Sequence, residues 1–276
     1  MESRHLLRWT KVNPKKDLHS DKASSYSTPA LEKGLDILEL LAHRSTGLTK
    51  SQIARELNRT ISEIFRMLVC LEHRGYIAQL GDDRYALTLK IFRLAQEHPP
   101  TERLLIEALP VMKHLAHETQ QSCHLGVLED EHVVILAQVN SPTNIGFYVK
   151  LGSTVNLTES ASGYVILAHQ PPGERDRVIA ELVRQNRKMP NDFVTHLERI
   201  REDGYEKRAS YLVDGVTNIS FPIFGEHRAS IGALTIPYIR YSNASIAEVR
   251  VMRALRQAAH KISTDIGGLP PTSSRN

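Results

Sequence analysis

Two short segments, Thr49-Lys50-Ser51-Gln52 and Thr60-Ile61-Ser62-Glu63, each set a threonine three residues ahead of a Gln or Glu. In such a pair the hydroxyl accepts from the backbone of the fourth residue, and that residue's side chain returns to the threonine amide. Each is therefore a helix start. Placed so close together, they leave room for one short helix and a tight Asn58-Arg59 turn before a second helix begins. Ile53, Ala54 and Leu57 supply an apolar face to the first helix, and Ile64, Phe65, Leu68, Val69 and Leu71 one to the second. Gly75 offers a left-handed stop. Few arrangements other than a helix-turn-helix satisfy this spacing.

The flanks extend the pattern. Upstream, Thr28-Pro29 supplies a capping residue and a first-turn proline. Leu31, Leu35, Leu38 and Leu41 then recur at helical spacing, predicting one buried face, and Gly47 breaks the chain. Downstream, residues 76–80 and 84–89 have strand composition and flank Gly81-Asp82-Asp83, which predicts a hairpin. Three helices and a hairpin make a winged helix-turn-helix over residues 28–98. Residues 1–27 lack periodicity and read as a flexible tail, as do residues 269–276.

A second unit follows the break at His98-Pro99-Pro100. Leu104, Leu105, Ala108, Val111, Met112 and Leu115 predict a linker helix over residues 99–120. Residues 121–268 read as α+β. Strands are expected at 122–128, 133–139 and 145–149, helices at 161–169, 174–187 and 192–203, strands at 206–212, 217–224 and 230–237, and a closing helix at 243–265. Strands on both sides of a helical block imply an antiparallel sheet with helices packed beside it.

Composition narrows the function. No apolar run approaches the roughly 20 residues of a membrane span, and the first residues lack the apolar stretch of a signal peptide, so a cytoplasmic protein with no membrane partner is expected. Cys70 and Cys123 stand alone, so neither a disulfide framework nor a metal motif is implied. Residues 1–30 hold six Lys/Arg against three Asp/Glu, a modest positive excess at the end carrying the winged helix.

A recognition helix reads the major groove with its first turns. Here those turns offer Arg59, Thr60, Ser62 and Arg66; Ser62 and Arg66 share a face opposite Phe65 and Leu68. Arg66 can donate a fork of hydrogen bonds to guanine or phosphate, whereas Glu63 belongs to its own cap. Lys50 and Ser51 at the preceding helix start, and Arg84 in the wing, are placed for backbone phosphates. These residues point to double-stranded DNA. A winged helix that binds another protein is a third possibility, set apart by weak salt dependence on duplex DNA.

Enzymatic constellations are scarce. His114, His117, His124 and His132 surround Cys123, but Cys123 and His124 alternate along a strand and face opposite ways. Ser160-Ala161-Ser162-Gly163 lacks the frame of a nucleophile turn and an evident His/Asp pair. No catalytic residue, metal or cofactor is assigned, and a hydrolase-like second unit is the alternative. The same four residues precede an apolar helix, so their amides suit a carboxylate ligand.

The runs LEKGLDILELLA, LTKSQIARELN, TISEIFRMLVCLEHRGYI and GDDRYALTLKIFRLA resemble the DNA-binding domain of IclR-family transcriptional regulators. The likeness continues in LGSTVNLTESASGYVILA and DGVTNISFPIFGEHRASIGALTIPYI, covering about residues 29–268. It implies a GAF-like effector domain, homodimers or homotetramers, and control of catabolic operons by a small carboxylate or aromatic effector. It also implies an effector pocket at Ser160, Ala161, Ser162, Asn218, Ser220 and Thr235. Three positions depart from the family's habit. Tyr164 replaces a usual basic residue, a change expected at the helix surface. Asn218 replaces a small residue and bears on ligand class. Pro237 removes one potential hydrogen bond.

Overall fold

The computed structural model describes residues 28–96, 99–241 and 246–270. The expected tail 1–27, His98 at the break, and residues 243–245 and 271–276 lie outside the described residues. The chain divides into two compact units after residue 97.

The first unit opens with α1 (Pro29–Ala42), β1 (Leu48–Thr49), α2 (Lys50–Glu56) and α3 (Ile61–His73). Both capping boxes form: Gln52 N donates to Thr49 Oγ1 at 3.3 Å and Glu63 N to Thr60 Oγ1 at 3.3 Å, with Thr49 N and Thr60 N donating back at 2.9 and 2.8 Å. α3 ends at Gly75, whose φ of 72° is the left-handed conformation that glycine adopts without strain. There Gly75 N donates to Glu72 O and Tyr76 N to Leu71 O, closing the helix's last turn. The wing is β2 (Ile77–Leu80), a 3₁₀ turn at Gly81–Asp83 and β3 (Arg84–Leu87), and β1 joins β3 to make a three-stranded sheet. A short α4 (Lys90–Gln96) follows where strand had been expected to run on to residue 89.

The core of this unit corrects three expectations. Thr28 makes no side-chain cap; only its carbonyl serves α1. The buried face of α1 is Gly34, Ile37 and Leu41, with Leu38 at its edge, while Leu31 and Leu35 are 60% and 48% exposed. On α3, Ile64 and Leu68 are buried, but Phe65 and Val69 face solvent. Both helices carry a wider apolar surface than three packed helices and a small sheet can cover.

The second unit begins with α5 (Pro99–Thr119), the helix expected to link the units. It is also a core element of this unit: Leu104, Ala108, Met112 and Leu115 are buried in one cluster with Val251, Leu255 and Ile262 of α9 (Glu248–Asp265). Six antiparallel strands form one sheet in the order β6-β5-β4-β9-β8-β7. They are β4 (Cys123–Glu129), β5 (His132–Val139), β6 (Thr154–Asn156), β7 (Glu206–Ala209), β8 (Val216–Phe224) and β9 (Ser230–Ile239). Residues 145–149, expected as a strand, have no strand pairing, and the sheet's edge is β6 instead. The run Ile145-Gly146-Phe147-Tyr148-Val149 has β composition, but Ile145 and Tyr148 are left in water.

Helices cover both faces of this sheet. α5 and α9 take one; α6 (Ala161–Ala168), with α7 (Pro172–Arg184) and α8 (Phe193–Asp203), takes the other. That is why β8 and β9 are buried almost without alternation. All eight residues of α6 are buried, consistent with a helix that is apolar on every side. Its seating depends on Gly163, where a Cβ would be driven into the Leu157 backbone. Gly163→Ala is expected to destabilise this unit by about 1–3 kcal/mol, read as a lower urea midpoint. Gly173→Ala, where a Cβ meets nothing within 4 Å, should leave the midpoint unchanged or raise it.

Candidate functional site

The first turns of α3 present an exposed polar edge. Ser62 and Arg66 are both exposed, and neither side chain makes a hydrogen bond or ion pair with another described residue. Thr60 is placed differently, because its hydroxyl and amide are both engaged with Glu63. These bonds, together with Lys33 at 3.4 Å, hold the Glu63 carboxyl down at about 2. Arg59 is half-buried, and its Nη2 donates to Asp36 Oδ2 of α1 at 2.9 Å, bracing the turn against the scaffold. Lys50 lies over the Phe65 ring, 5.7 Å from its centroid, so the exposed aromatic on α3 carries a cation beside the polar edge. Ser51 is exposed at the start of α2. Arg84 lies next to the wing's turn, where it donates to Gly47 O at 3.3 Å. The wing tip itself carries exposed Asp82 and Asp83 and would repel a phosphate chain.

The second site lies on the sheet face beneath α6. Ser160 caps α6, accepting from Gly163 N at 3.1 Å and from Ser162 Oγ at 3.3 Å. The pairing register sets a row of polar side chains across five strands: Glu206 opposite Ser220, Ser220 opposite Thr235, Thr235 opposite His124, and His124 opposite Gln138. Directly paired residues share a face, so this row belongs to one side of the sheet, with Ala233 of the α6 core two residues from Thr235. Two residues further along the same face, Arg208, Asn218 and Pro237 form a second row.

Ser220 and Thr235 are fully buried and share a 2.6 Å hydrogen bond. His124 is buried, its Nδ1 has no partner, and desolvation lowers its pKa to about 4. Gln138 Nε2 donates to Val139 O, Asn140 Oδ1 and Phe147 O, while its Oε1 is buried and unmatched. At the other end, buried Glu206 meets His196 Nε2 at 3.0 Å and Arg208 Nε at 3.9 Å. The Arg208 guanidinium sits 4.1 Å from the centroid of Tyr164, leaving its Nη1 buried without a partner.

Tyr164 thus corrects an expectation. It is buried among Phe193, His196 and Arg208 and not at the surface of α6. Beside Arg208 opens a cavity of about 380 Å³, lined in part by Thr158, Glu159, Lys188 and Tyr211. Sequence reasoning found Ser220 and Thr235 but missed His124, Gln138, Glu206 and Arg208 as members of one surface. Only the strand register brings them together.

The comparisons agree with this architecture. The family model described as the IclR helix-turn-helix domain matches residues 30–81, and that of the bacterial transcriptional regulator IclR C-terminal domain matches residues 101–264. The HTH-type transcriptional regulator KdgR of Escherichia coli is 29% identical, the match covering 87% of this chain and 94% of that protein. The regulator BhcR of Paracoccus denitrificans is 30% identical, covering 85% and 86%. Among solved structures, an IclR homolog from Microbacterium hydrocarbonoxydans complexed with 4-hydroxybenzoate superposes with a TM-score of 0.71 at 23% identity, covering 86% of this chain and 98% of that one.

Burial of His124 has a consequence for acid stability. Its folded pKa, about 4, lies below the ordinary histidine value of 6.5. The unfolded chain therefore binds a proton that the native state refuses, and stability present above pH 6.5 is lost as pH falls towards 4. His124→Leu should make the urea midpoint of this unit less sensitive to pH between 6.5 and 4. His169, also lowered by burial, contributes equally to both proteins. Identical pH slopes would remove His124 as a source.

Proposed function

Because the chain belongs to the IclR family of transcriptional regulators, and so is a DNA-binding regulator with a C-terminal effector domain, we propose that it binds its operator chiefly through Ser62 and Arg66. The observation that carries this reading is their exposure on the first turns of α3, free of any partner among the described residues. Ser51 and Lys50 contact backbone phosphates from the start of α2. Arg59, Thr60 and Arg84 act at one remove: each fixes the recognition element through a bond to its neighbours, Arg59 through Nη2 to Asp36, Thr60 to Glu63 and Arg84 to Gly47 O. The regulated genes form a catabolic operon, and the effector occupies the sheet face lined by Ser160, Ala161, Ser162, Asn218, Ser220 and Thr235.

The operator-binding form is a homo-oligomer, a dimer or a dimer of dimers. What supports this is the apolar surface left open on the first unit: Leu31 and Leu35 on α1, and Leu89 and Phe92 at 76% and 60% exposure around α4. Two copies would set their recognition helices about 34 Å apart on a pseudo-palindromic site. The chain works in the cytoplasm, in keeping with the finding that no described helix is long and apolar enough to cross a membrane. The relatives are regulators, and the chain performs no catalysis of its own.

Operator fragments recovered with the purified protein and sequenced provide the duplex for a titration by fluorescence anisotropy. At fixed salt, Arg66→Ala should weaken specific binding by about 1–3 kcal/mol, as for a bidentate base contact. Arg59→Ala should weaken specific and non-specific duplexes together, and should lower the melting temperature of the first unit. Two half-sites one turn apart should bind more tightly than one. Unchanged affinity in Arg66→Ala would remove that residue from the interface.

A further inference from the structure

A large apolar side chain left in water is ordinary when it stands alone, but a contiguous set marks a contact surface. On α3 the set is Ile61, Phe65 and Val69, at 45%, 47% and 49% exposure. Spaced four residues apart, they form one stripe along the helix, each step about 6 Å. The stripe borders the polar edge of Ser62 and Arg66 and begins on the same first turn. Glu63, which reaches across to Lys33 of α1, lies about 160° round the helix from Phe65. The stripe therefore turns away from α1 and towards the start of α2, where Lys50 Nζ stands 5.7 Å from the Phe65 centroid.

Two kinds of partner could cover such a stripe, and its surroundings separate them. A second protein surface would have to bury or displace the Lys50 ammonium, at a desolvation cost. Duplex DNA would not, because its phosphates pair with that cation while the bases approach the helix. Nor does the stripe continue the apolar patch on α1. Leu31 and Leu35 stand two residues either side of Lys33, so they lie on the flank of α1 turned away from the Lys33–Glu63 pair. In the major groove the apolar group that a base offers is the C5-methyl of thymine.

Resting on the reading that the first turns of α3 enter the major groove, we propose that Phe65 and Ile61 select the operator by apolar contact with thymine methyl groups. Arg66 takes a guanine beside them, and Lys50 holds the phosphate that flanks Phe65. Val69, one turn further on, extends the same apolar edge. The division of labour follows from the chemistry of each side chain. The Arg66 donors recognise guanine acceptors, whereas Phe65 and Ile61 carry no polar side-chain atom and sense only the methyl. The Phe65 ring already rests against Lys50, so less freedom is lost when DNA arrives. Each half-site thus holds thymines next to the guanine, and cytosine in their place supplies no methyl group.

The test is a fluorescence-anisotropy titration of the full-length protein with the operator duplex recovered with it, each thymine replaced in turn by deoxyuridine. That exchange removes one methyl group and leaves the base pairing and the groove's donors and acceptors unchanged. At fixed salt, deoxyuridine at one or two positions in each half-site should weaken binding by about fourfold per methyl. Phe65→Ala should weaken the thymine duplex by at least about fourfold and abolish the deoxyuridine penalty at one of those positions; Ile61→Ala should do the same at the other. Phe65→Leu should keep part of the discrimination. Both side chains are half exposed, so the variants spare the core, and the deoxyuridine duplexes need no variant at all. If every deoxyuridine duplex binds like its parent while Arg66→Ala still weakens binding, the methyl readout is overturned and the recognition-helix reading stands. A penalty that persists unchanged in both Phe65→Ala and Ile61→Ala overturns it too, as does a Phe65→Ala protein that changes only its oligomeric state in sedimentation. If neither Arg66→Ala nor any of these changes alters affinity, both readings fail.

Discussion

The second unit rests on one constraint: its sheet is covered by helices on both faces, so a polar side chain on either face has lost its water. On the α5–α9 face the constraint is met with apolar residues, Leu125, Ile219, Leu234 and Ile236 among them. On the α6 face it is only partly met. Ser220 and Thr235 satisfy one another and Glu206 is held by His196, while the row that they begin runs on to atoms with no partner among the described residues. A stable fold does not need that row. An apolar sheet of the same shape would avoid the desolvation cost, which is about 1–3 kcal/mol for an unmatched buried group.

The first unit solves a related problem with opposite means. A helix start exposes unpaired amides, and at α2 and α3 those amides are satisfied internally by Thr49–Gln52 and Thr60–Glu63. The caps therefore fix where each helix begins without drawing on the side chains of Ser62 and Arg66. Arg59 extends this logic by crossing to Asp36 of α1, which locks the turn between the two helices. What remains uncommitted at the end of α3 is Ser62 and Arg66. The polar edge is set apart from the machinery that holds it, so its chemistry can vary without unfolding the helices.

Much of this was legible in the residues because it is local. Capping boxes, the Gly75 stop and the hairpin turn are short-range devices, and the structure carries each where the spacing placed it. Apart from the Thr28 cap, whose side chain takes no part, what failed depended on a neighbour. Helical periodicity identified apolar faces on α1 and α3, but it could not say that Leu31, Leu35, Phe65 and Val69 would find nothing in the same unit to cover them. Helix 99–120 was legible as a helix, but its packing was not, because its partner α9 lies more than a hundred residues away. Residues 145–149 have strand composition without a strand beside them. The register that aligns His124 with Thr235 is likewise non-local, so the polar row that joins His124 and Gln138 to Ser220 and Thr235 had no one-dimensional signature.

The unmatched atoms also bear on how a ligand could govern DNA binding. An effector changes operator affinity only through a difference in its own affinity for two arrangements of the protein. Regulatory couplings of this kind typically amount to about 1–3 kcal/mol, which is the scale of matching one buried polar group. His124 and Gln138 lie on β4 and β5 and Ser220 and Thr235 on β8 and β9, so the row crosses the middle of the sheet. A ligand bonded along it favours whichever arrangement keeps these strands in that register. One with equal affinity for both arrangements shifts nothing, however tightly it binds.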